Sequence, residues 1–336
     1  DELLAALLEE VLDSSQGLKA SFFEVTTAAA FLAFSRTPAD ACILEVGLGG
    51  RLDATNVIAQ PVACGIAALG IDHEGFLLSP EDNVPADPMD RIAFEKAGIA
   101  KADTPLITQK YRPSMQIEIA KQAMSVGARL IDRGDGWDAA VYEEQLHYRD
   151  DAGKLSLPLP RMAGGHQAEN AALATAMLRH QDAVSVPESA MAAAMEWVSW
   201  PARLQKLDKG PLTDTLPEAT EMWLDGGHNV DAGRALAAHF SDHPENSIHL
   251  IIGMLANKDP AAIIAPIKGK LASVTALPVN GHAHHSAEAF GSNAKQASGI
   301  TEAMQSQKVK SGGTVLIAGS LYLAGEVLEA NGQLPD

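Results

Sequence analysis

The chain has 336 residues, of which 46% are hydrophobic and 20% charged, and its formal net charge is -18. That length is enough for two domains with a core each, and the ordinary balance of apolar and charged residues excludes a disordered or fibrous chain. The acidic balance disfavours a general nucleic-acid binder, and no apolar run is long enough for a membrane span, so the cytosol is the expected compartment.

Leu3, Leu4, Leu7, Leu8, Val11 and Leu12 recur at helical spacing, and Ser21 with Glu24 has the form of a capping box before a second helix through Phe34. Strands are expected at 41–46, 62–69 and 105–108, with helices near 88–97 and 115–126, which is the alternation of a parallel sheet. Cys42 and Cys64 fall in two of these strand-like runs, predicting buried free thiols and neither a disulfide nor a metal site. The loop 74–88, with Pro80, Pro85 and Pro88, is the main irregular segment. Residues 139–148 and 154–159, joined by Asp150-Asp151-Ala152-Gly153, read as a hairpin, and helices follow over 167–180 and 188–198. Trp200-Pro201 ends the last of these, because the residue before a proline leaves the α region. A second series then places strands near 221–225, 247–252, 272–277 and 313–318, alternating with helices near 230–240, 259–270, 286–298 and 321–330. The expected fold is α/β, with a first domain over 1–199 built on a mostly parallel sheet and a smaller Rossmann-like domain over 200–336.

The richest stretch runs from Leu44 to Asn56, where an apolar strand carrying Glu45 meets the turn Gly47-Leu48-Gly49-Gly50. Glycine permits the positive φ angles and close backbone approach that an anion-binding turn uses, although a plain βα turn with a capped helix after it needs the same residues. Glu45 ends one expected strand and His73 directly follows another; in a parallel sheet both open on the crevice at the carboxyl ends. A lone His73 reads first as a hydrogen-bonded loop histidine, a preference that the paired Glu45 reverses, and Lys96, in the last helical turn before Gly98, reads first as a complement to the helix dipole. His166, Gln167 and Asn170 open a helix, where such groups act as caps. Asp225 ends a strand, and Gly226-Gly227-His228-Asn229 leads into a helix, a strand–turn–helix junction of the anion-binding kind. Lys258, Asp259 and Ser320 also follow apolar strands. His282, His284 and His285 lie in a Gly/Ala-rich loop with no acidic or Cys partner nearby, and read as an exposed loop, not a metal cluster.

These landmarks, taken with Phe94-Glu95-Lys96-Ala97-Gly98-Ile99, Trp200-Pro201-Ala202-Arg203-Leu204 and Gly319-Ser320-Leu321-Tyr322-Leu323, stand in the order found in folylpolyglutamate synthase/dihydrofolate synthase. From about residue 21 to 325 the chain resembles that branch of the Mur ligase family. The resemblance implies an ATP-dependent acid–amino-acid ligase that adds L-glutamate to dihydropteroate, tetrahydrofolate or both through an acyl phosphate. It implies Glu45 and His73 as Mg²⁺ ligands and Lys96 as a carbamylated lysine supporting the metal site. It places Asn170 near the adenine, Asp225 and His228 on the nucleotide, and Arg203 as the inter-domain arginine that reaches the phosphates. Lys96, His228 and Arg203 are the expected catalytic residues. The interval from His73 to Lys96 is longer than is usual in the family, and Gly227 stands where the family has alanine. The family's P-loop has no counterpart here, since no G-x-x-x-x-G-K-[ST] run occurs. With Asp1 opening on an amphipathic helix, the expectation is an N-terminally truncated chain that cannot turn over alone. The expected partners are small molecules only (ATP, L-glutamate and the pterin substrate), and the expected state is a monomer.

Three other readings stay open. An NAD(P)-dependent oxidoreductase would use the glycine turn as a dinucleotide turn, but its spacing is not G-x-G-x-x-G. Another Mur ligase with a different carboxylate substrate would share most landmarks. An inactive ligand-binding remnant would keep the fold alone.

Overall fold

In the computed structural model, which describes residues 2–334, local capping chemistry sets many of the helix ends. The helices α1 (Glu2–Ser14) and α2 (Phe22–Arg36) open the chain, and Ser21 makes the full reciprocal box with Glu24 before α2. After β1 (Cys64–Ile66) and the short α3 (Glu74–Leu77), α4 (Pro88–Ala97) starts at Asp87, whose carboxylate accepts the Met89 and Asp90 N–H groups. Pro88 at the first helical position costs nothing, because its absent N–H is one that the helix leaves unpaired. β2 (Pro105–Thr108), α5 (Pro113–Val126) and β3 (Arg129–Asp132) follow, with Gly127 at φ 76 closing α5. The strands β1, β2 and β3 form a parallel sheet in that order. Cys64, Ile66 and Leu106 on the sheet bury against Ala93 and Ala97 of α4 and Met115, Ile119 and Ala123 of α5.

The strands β4 (Trp137–Tyr142), β5 (Gln145–Asp150) and β6 (Gly153–Pro158) make a second three-stranded sheet, followed by α6 (Gly165–Arg179) and α7 (Glu188–Trp197). The remaining elements are β7 (Gln205–Lys206), β8 (Glu221–Asp225), α8 (Val230–His239), β9 (Ile248–Ile252), α9 (Ala261–Ile267), β10 (Leu271–Ala276), β11 (Lys295–Gln296), α10 (Ile300–Ser306), β12 (Thr314–Ala318) and α11 (Leu321–Ala330). They build a six-stranded sheet in the order β11-β10-β9-β12-β8-β7, parallel except for β7. Every residue of β12 is buried, as a central parallel strand covered on both faces requires. The chain divides into two compact units. The first holds the residues up to Asp138 with Tyr148–Lys154 and Leu173–Pro187, and the second holds Ala139–His147, Leu155–Ala172 and the residues from Glu188 onward.

In the second unit, α11 packs on one face of the large sheet through Leu323, Val327 and Leu328, against Leu224 and Val315. Leu236 of α8 and Ile263 of α9 pack on the other face, against Leu250 and Leu316. The helices that follow the neighbouring strands β8 and β12 therefore lie on opposite sides. That is a topological switch point, and it opens a crevice beyond the carboxyl ends of these two strands.

Four local expectations need correction. Residues 41–46 join no ladder, because no neighbouring strand among the described residues pairs with them; Glu45 is therefore exposed, and so is Cys42, while Cys64 alone is buried. The expected strand at 139–148 breaks at Glu143 and Glu144, with φ 49 and 57, and so supplies both β4 and β5. No helix spans 286–298: Gly291, at φ 124, ends a short 3-10 turn over Ala287–Phe290, and the next helix waits until Ile300. The strand β3, which begins and ends on the charged Arg129 and Asp132, lies outside the expected strands, and it exists through its pairing with β2.

Candidate functional site

The glycine turn does cradle an anion, and the anion is the carboxylate of Asp53. Asp53 accepts the Leu48 N–H at 2.7 Å, the Thr55 N–H at 2.9 Å and the Thr55 hydroxyl at 2.5 Å. Burial pushes its pKa up, but hydrogen bonds from Thr55, Leu48 and Gly47 outweigh this and hold the carboxyl below its ordinary value. No helix follows the turn, so the dinucleotide-turn alternative loses both its helix N-terminus and its backbone donors. The turn instead docks on the end of α4. The Arg51 N–H donates to the Glu95 carbonyl at 2.8 Å, and a Cβ added to Gly50 would stand 3.0 Å from that same oxygen.

Around this contact Arg51 forks onto Glu95 at 3.0 and 3.1 Å, Arg91 reaches Glu95 at 2.9 Å, and both arginines meet Glu81 at 2.7 and 2.8 Å. Glu81 belongs to the proline-rich loop, which is thereby tied to the turn and to α4. The Lys96 amine lies within the electrostatic reach of Asp53 and Asp72. Burial lowers its pKa against the pull of those two carboxylates, which raises the neutral, nucleophilic fraction of the amine.

Glu45 lines a cavity of about 270 Å³ whose other walls include Phe23, Phe31, Phe34, Ile43, Leu44 and Thr55. His73 is exposed at the start of α3, in a left-handed conformation (φ 55), with its N–H on the Asp72 carboxylate at 2.7 Å. Among the described residues no group of three or more His, Cys, Asp or Glu side chains is arranged to hold a metal. Of the loop histidines, His282 and His284 are exposed, with His282 packed against Tyr322, whereas His285 is half-buried and donates to the Lys258 carbonyl at 2.7 Å. Asp259 accepts the Ala261 N–H, and buried Ser320 caps α11 through the Tyr322 N–H.

In the second unit Asp225 ends β8 and is buried. Its carboxylate accepts the Leu204 N–H at 2.8 Å and the Gly227 N–H at 2.7 Å. Burial raises its pKa, while those two bonds and the charges of Arg203 and His166 pull the other way. The His228 Nδ1–H donates to the Gly226 carbonyl at 3.1 Å, so the neutral ring carries its acceptor on Nε2. A Cβ at Gly226 would run into Leu321 and stand 3.3 Å from Arg203 Nη1, so the guanidinium lies directly on this turn. A Cβ at Gly227 would collide with Ala232 and meet Asp225 Oδ1 at 2.5 Å, so this backbone position has no room for a side chain as it stands. Desolvation lowers the pKa of His166, with Asp225 opposing and Arg203 reinforcing the shift. Arg203, Asp225, His228 and His166 are thus one cluster at the switch-point crevice. Asn170 is exposed on α6, with its amide 3.4 Å from the Gln167 carbonyl oxygen.

A family model described as Mur ligase, glutamate ligase domain, matches residues 213–321. The chain is 31% identical over 326 residues to the dihydrofolate synthase/folylpolyglutamate synthase of Escherichia coli (strain K12), a match that spans 95% of this chain and 71% of that enzyme. It belongs to the folylpolyglutamate synthase/dihydrofolate synthase family. Two solved structures of E. coli FolC, one with ADP and one with DHPP and ADP, each superpose with a TM-score of 0.81 at 28% identity, covering 97% of this chain and 75% of theirs. A bifunctional folylpolyglutamate synthase/dihydrofolate synthase with Mn, AMPPNP and L-glutamate bound gives a TM-score of 0.80 at 26% identity, over 98% of this chain and 76% of that one. The folylpolyglutamate synthase fold thus extends over nearly all of the sequence, and the chain is an ATP-dependent ligase of that family.

Sequence reasoning in this synthase chain missed Asp53 as the occupant of the glycine turn, and the Arg51, Arg91, Glu81 and Glu95 network around it. The Asp53-Ala54-Thr55 run carried the signal, since an aspartate that bonds the N–H two residues on is a turn former. A depressed carboxyl pKa contributes stability that is full above the unfolded value of 3.8 and is lost as pH falls through the lower folded value. The stability gap between wild type and Asp53→Ala is therefore expected to be about 1–3 kcal/mol and constant above roughly pH 5, closing in more acidic buffer. Urea unfolding across pH checks it, and a gap that stays constant into strong acid would contradict the role of the carboxylate.

Proposed function

We propose that this chain joins L-glutamate to dihydropteroate, to tetrahydrofolate, or to both, with ATP as the activating substrate. The observation that carries the reading is the 31% identity across 95% of the chain, together with the cluster of Arg203, Asp225 and His228 at a switch-point crevice. A substrate carboxylate oxygen attacks the γ-phosphorus and the bond to ADP breaks. The glutamate amine then attacks the acyl carbon, phosphate leaves, and the nitrogen loses its proton.

Arg203 presents a planar fork to phosphate oxygens, the geometry in which arginine makes paired bonds. In our reading His228 and Asp225 meet the nucleotide beside it, and Asn170 lies by the adenine. Glu45 and His73 would hold a divalent cation, Mg²⁺ in our reading, which supplies charge neutralisation at the transferring phosphoryl group. A carboxylate and an imidazole fit a hard cation that keeps several waters and shares its coordination with phosphates. The mostly apolar cavity walled by Phe23, Phe31 and Phe34 suits a flat aromatic group such as a pterin, which gains from burial and from ring–ring contact. The division at about residue 200, the monomeric state, the cytoplasmic location and the absence of nucleic-acid partners belong to the same reading. No helix among the described residues is long and apolar enough to cross a membrane.

Isothermal titration and a phosphate-release assay test the proposal on the whole protein. MgATP is expected to bind, NAD⁺ and a UDP-sugar precursor are not, and phosphate release is expected to require both L-glutamate and the pterin substrate. Binding of NAD⁺ in place of MgATP, or phosphate release indifferent to glutamate, would overturn the reading.

A further inference from the structure

Arg203 stands between two non-glycine residues in the left-handed region, Ala202 at φ 56 and Leu204 at φ 45. Such a conformation is unfavourable for an L-residue and persists only where the surroundings over-determine it. Here they do. Ala202 is buried in the core on one face of the large sheet and Leu204 in the core on the other, so the segment straddles the sheet edge and leaves Arg203 between its two anchors. The Gly226 N–H donates to the Ala202 carbonyl at 2.8 Å, and the Leu204 N–H to Asp225 at 2.8 Å. A third contact closes the segment: the Ala202 N–H donates to the side-chain oxygen of Gln205 at 2.9 Å. Gln205 itself is held by the ladder, since it pairs with Leu224 as the first residue of β7.

We propose that Gln205 is a positioning residue for nucleotide binding: by accepting the Ala202 N–H it closes the left-handed loop and holds the Arg203 guanidinium over the Gly226 turn. The inference rests on the reading of Arg203 as a phosphate-binding residue. Without the acceptor, the Ala202 N–H is left unpaired in a buried position, and the loop relaxes toward ordinary φ values by turning Arg203 away. Gln205→Leu keeps the shape and removes the acceptor; Gln205→Glu keeps the acceptor.

The test measures the KM for ATP, the KM for L-glutamate and thermal stability in the whole protein for Gln205→Leu, Gln205→Glu, Arg203→Ala and the double variant Arg203→Ala/Gln205→Leu. Gln205→Leu is expected to raise the KM for ATP about tenfold, the scale of one lost hydrogen bond, and to leave the KM for glutamate unchanged. Gln205→Glu is expected to restore the wild-type value, and the double variant to be no worse than Arg203→Ala alone. A merely structural glutamine would lower the melting temperature and add its full effect to that of Arg203→Ala, and that result overturns the proposal. So does a Gln205→Leu variant with an unchanged KM for ATP beside an impaired Arg203→Ala. If Arg203→Ala itself leaves the KM for ATP unchanged, the phosphate-binding reading of Arg203 falls, and this inference falls with it.

Discussion

Replacing Lys96 with methionine is expected to cut glutamate-dependent turnover of the whole protein by a factor of about 10²–10³, the scale of losing one preorganised electrostatic group. Lys96 is half-buried in the last turn of α4, and its amine is desolvated between the fields of Asp53 and Asp72. Methionine has a similar length and no charge to solvate, so the fold is expected to survive the change. What is lost is a nitrogen whose lowered pKa favours the neutral form, the form that adds to the carbon of CO2 and sheds a proton to become a carbamate. In our reading that carbamate supplies a carboxylate-like group beside the metal site. Intact-mass measurement of the wild type and rates with and without bicarbonate check it. If Lys96→Met keeps its rate and bicarbonate changes nothing, Lys96 serves only the end of its helix.

The second large effect is structural. Gly98→Ala is expected to destabilise the protein by about 1–3 kcal/mol, the usual penalty for forcing extra atoms into a packed contact. A Cβ at Gly98 would collide with the Arg51 side chain and stand 2.5 Å from the Arg51 Cα, and a backbone atom cannot swing aside as a flexible side chain can. Helix propensity argues for the opposite sign, since Gly98 has an ordinary helical φ of -62 and alanine there is intrinsically better. The experiment therefore separates the two effects. Gly75→Ala is the control, because its added Cβ meets nothing within 4 Å, and it is expected to be neutral or slightly stabilising. Equal stability for the two variants in urea unfolding would show that the turn and α4 do not need their close approach. Because Arg51 also bridges to Glu81 and Glu95, pushing the turn off the helix is expected to loosen the proline-rich loop as well.

How much of this was legible in sequence depended on the range of the interactions involved. The helix over 88–97 and the strands at 105–108 and 221–225 match their expected bounds to the residue, because caps, prolines and short apolar runs carry their own signal. The expected helix at 286–298 failed where Gly291 took a left-handed turn, and 139–148 split where two glutamates adopted positive φ, a choice that glutamate does not announce. Cys42 was misplaced for another reason: an apolar run becomes a buried strand only when a neighbouring strand pairs with it. The clustered residues of the second unit, Arg203, Asp225 and His228, stand out in sequence through their motifs, whereas their neighbour His166 has the local signature of a cap.

Sequence alone therefore determined the α/β alternation, the helix ends and the family, since these reside in local chemistry and in motifs of short span. Only the tertiary structure decided that Asp53 fills the glycine turn, that Gly50 and Gly98 exist for the contact with α4, and that Gln205 and Asp225 hold the Arg203 loop. The physical reason is that burial and steric contact join residues far apart in the chain. Arg51 and Gly98 touch across 47 positions, and Leu204 and Asp225 across 21, and no local pattern encodes which of many acceptors a buried N–H will find.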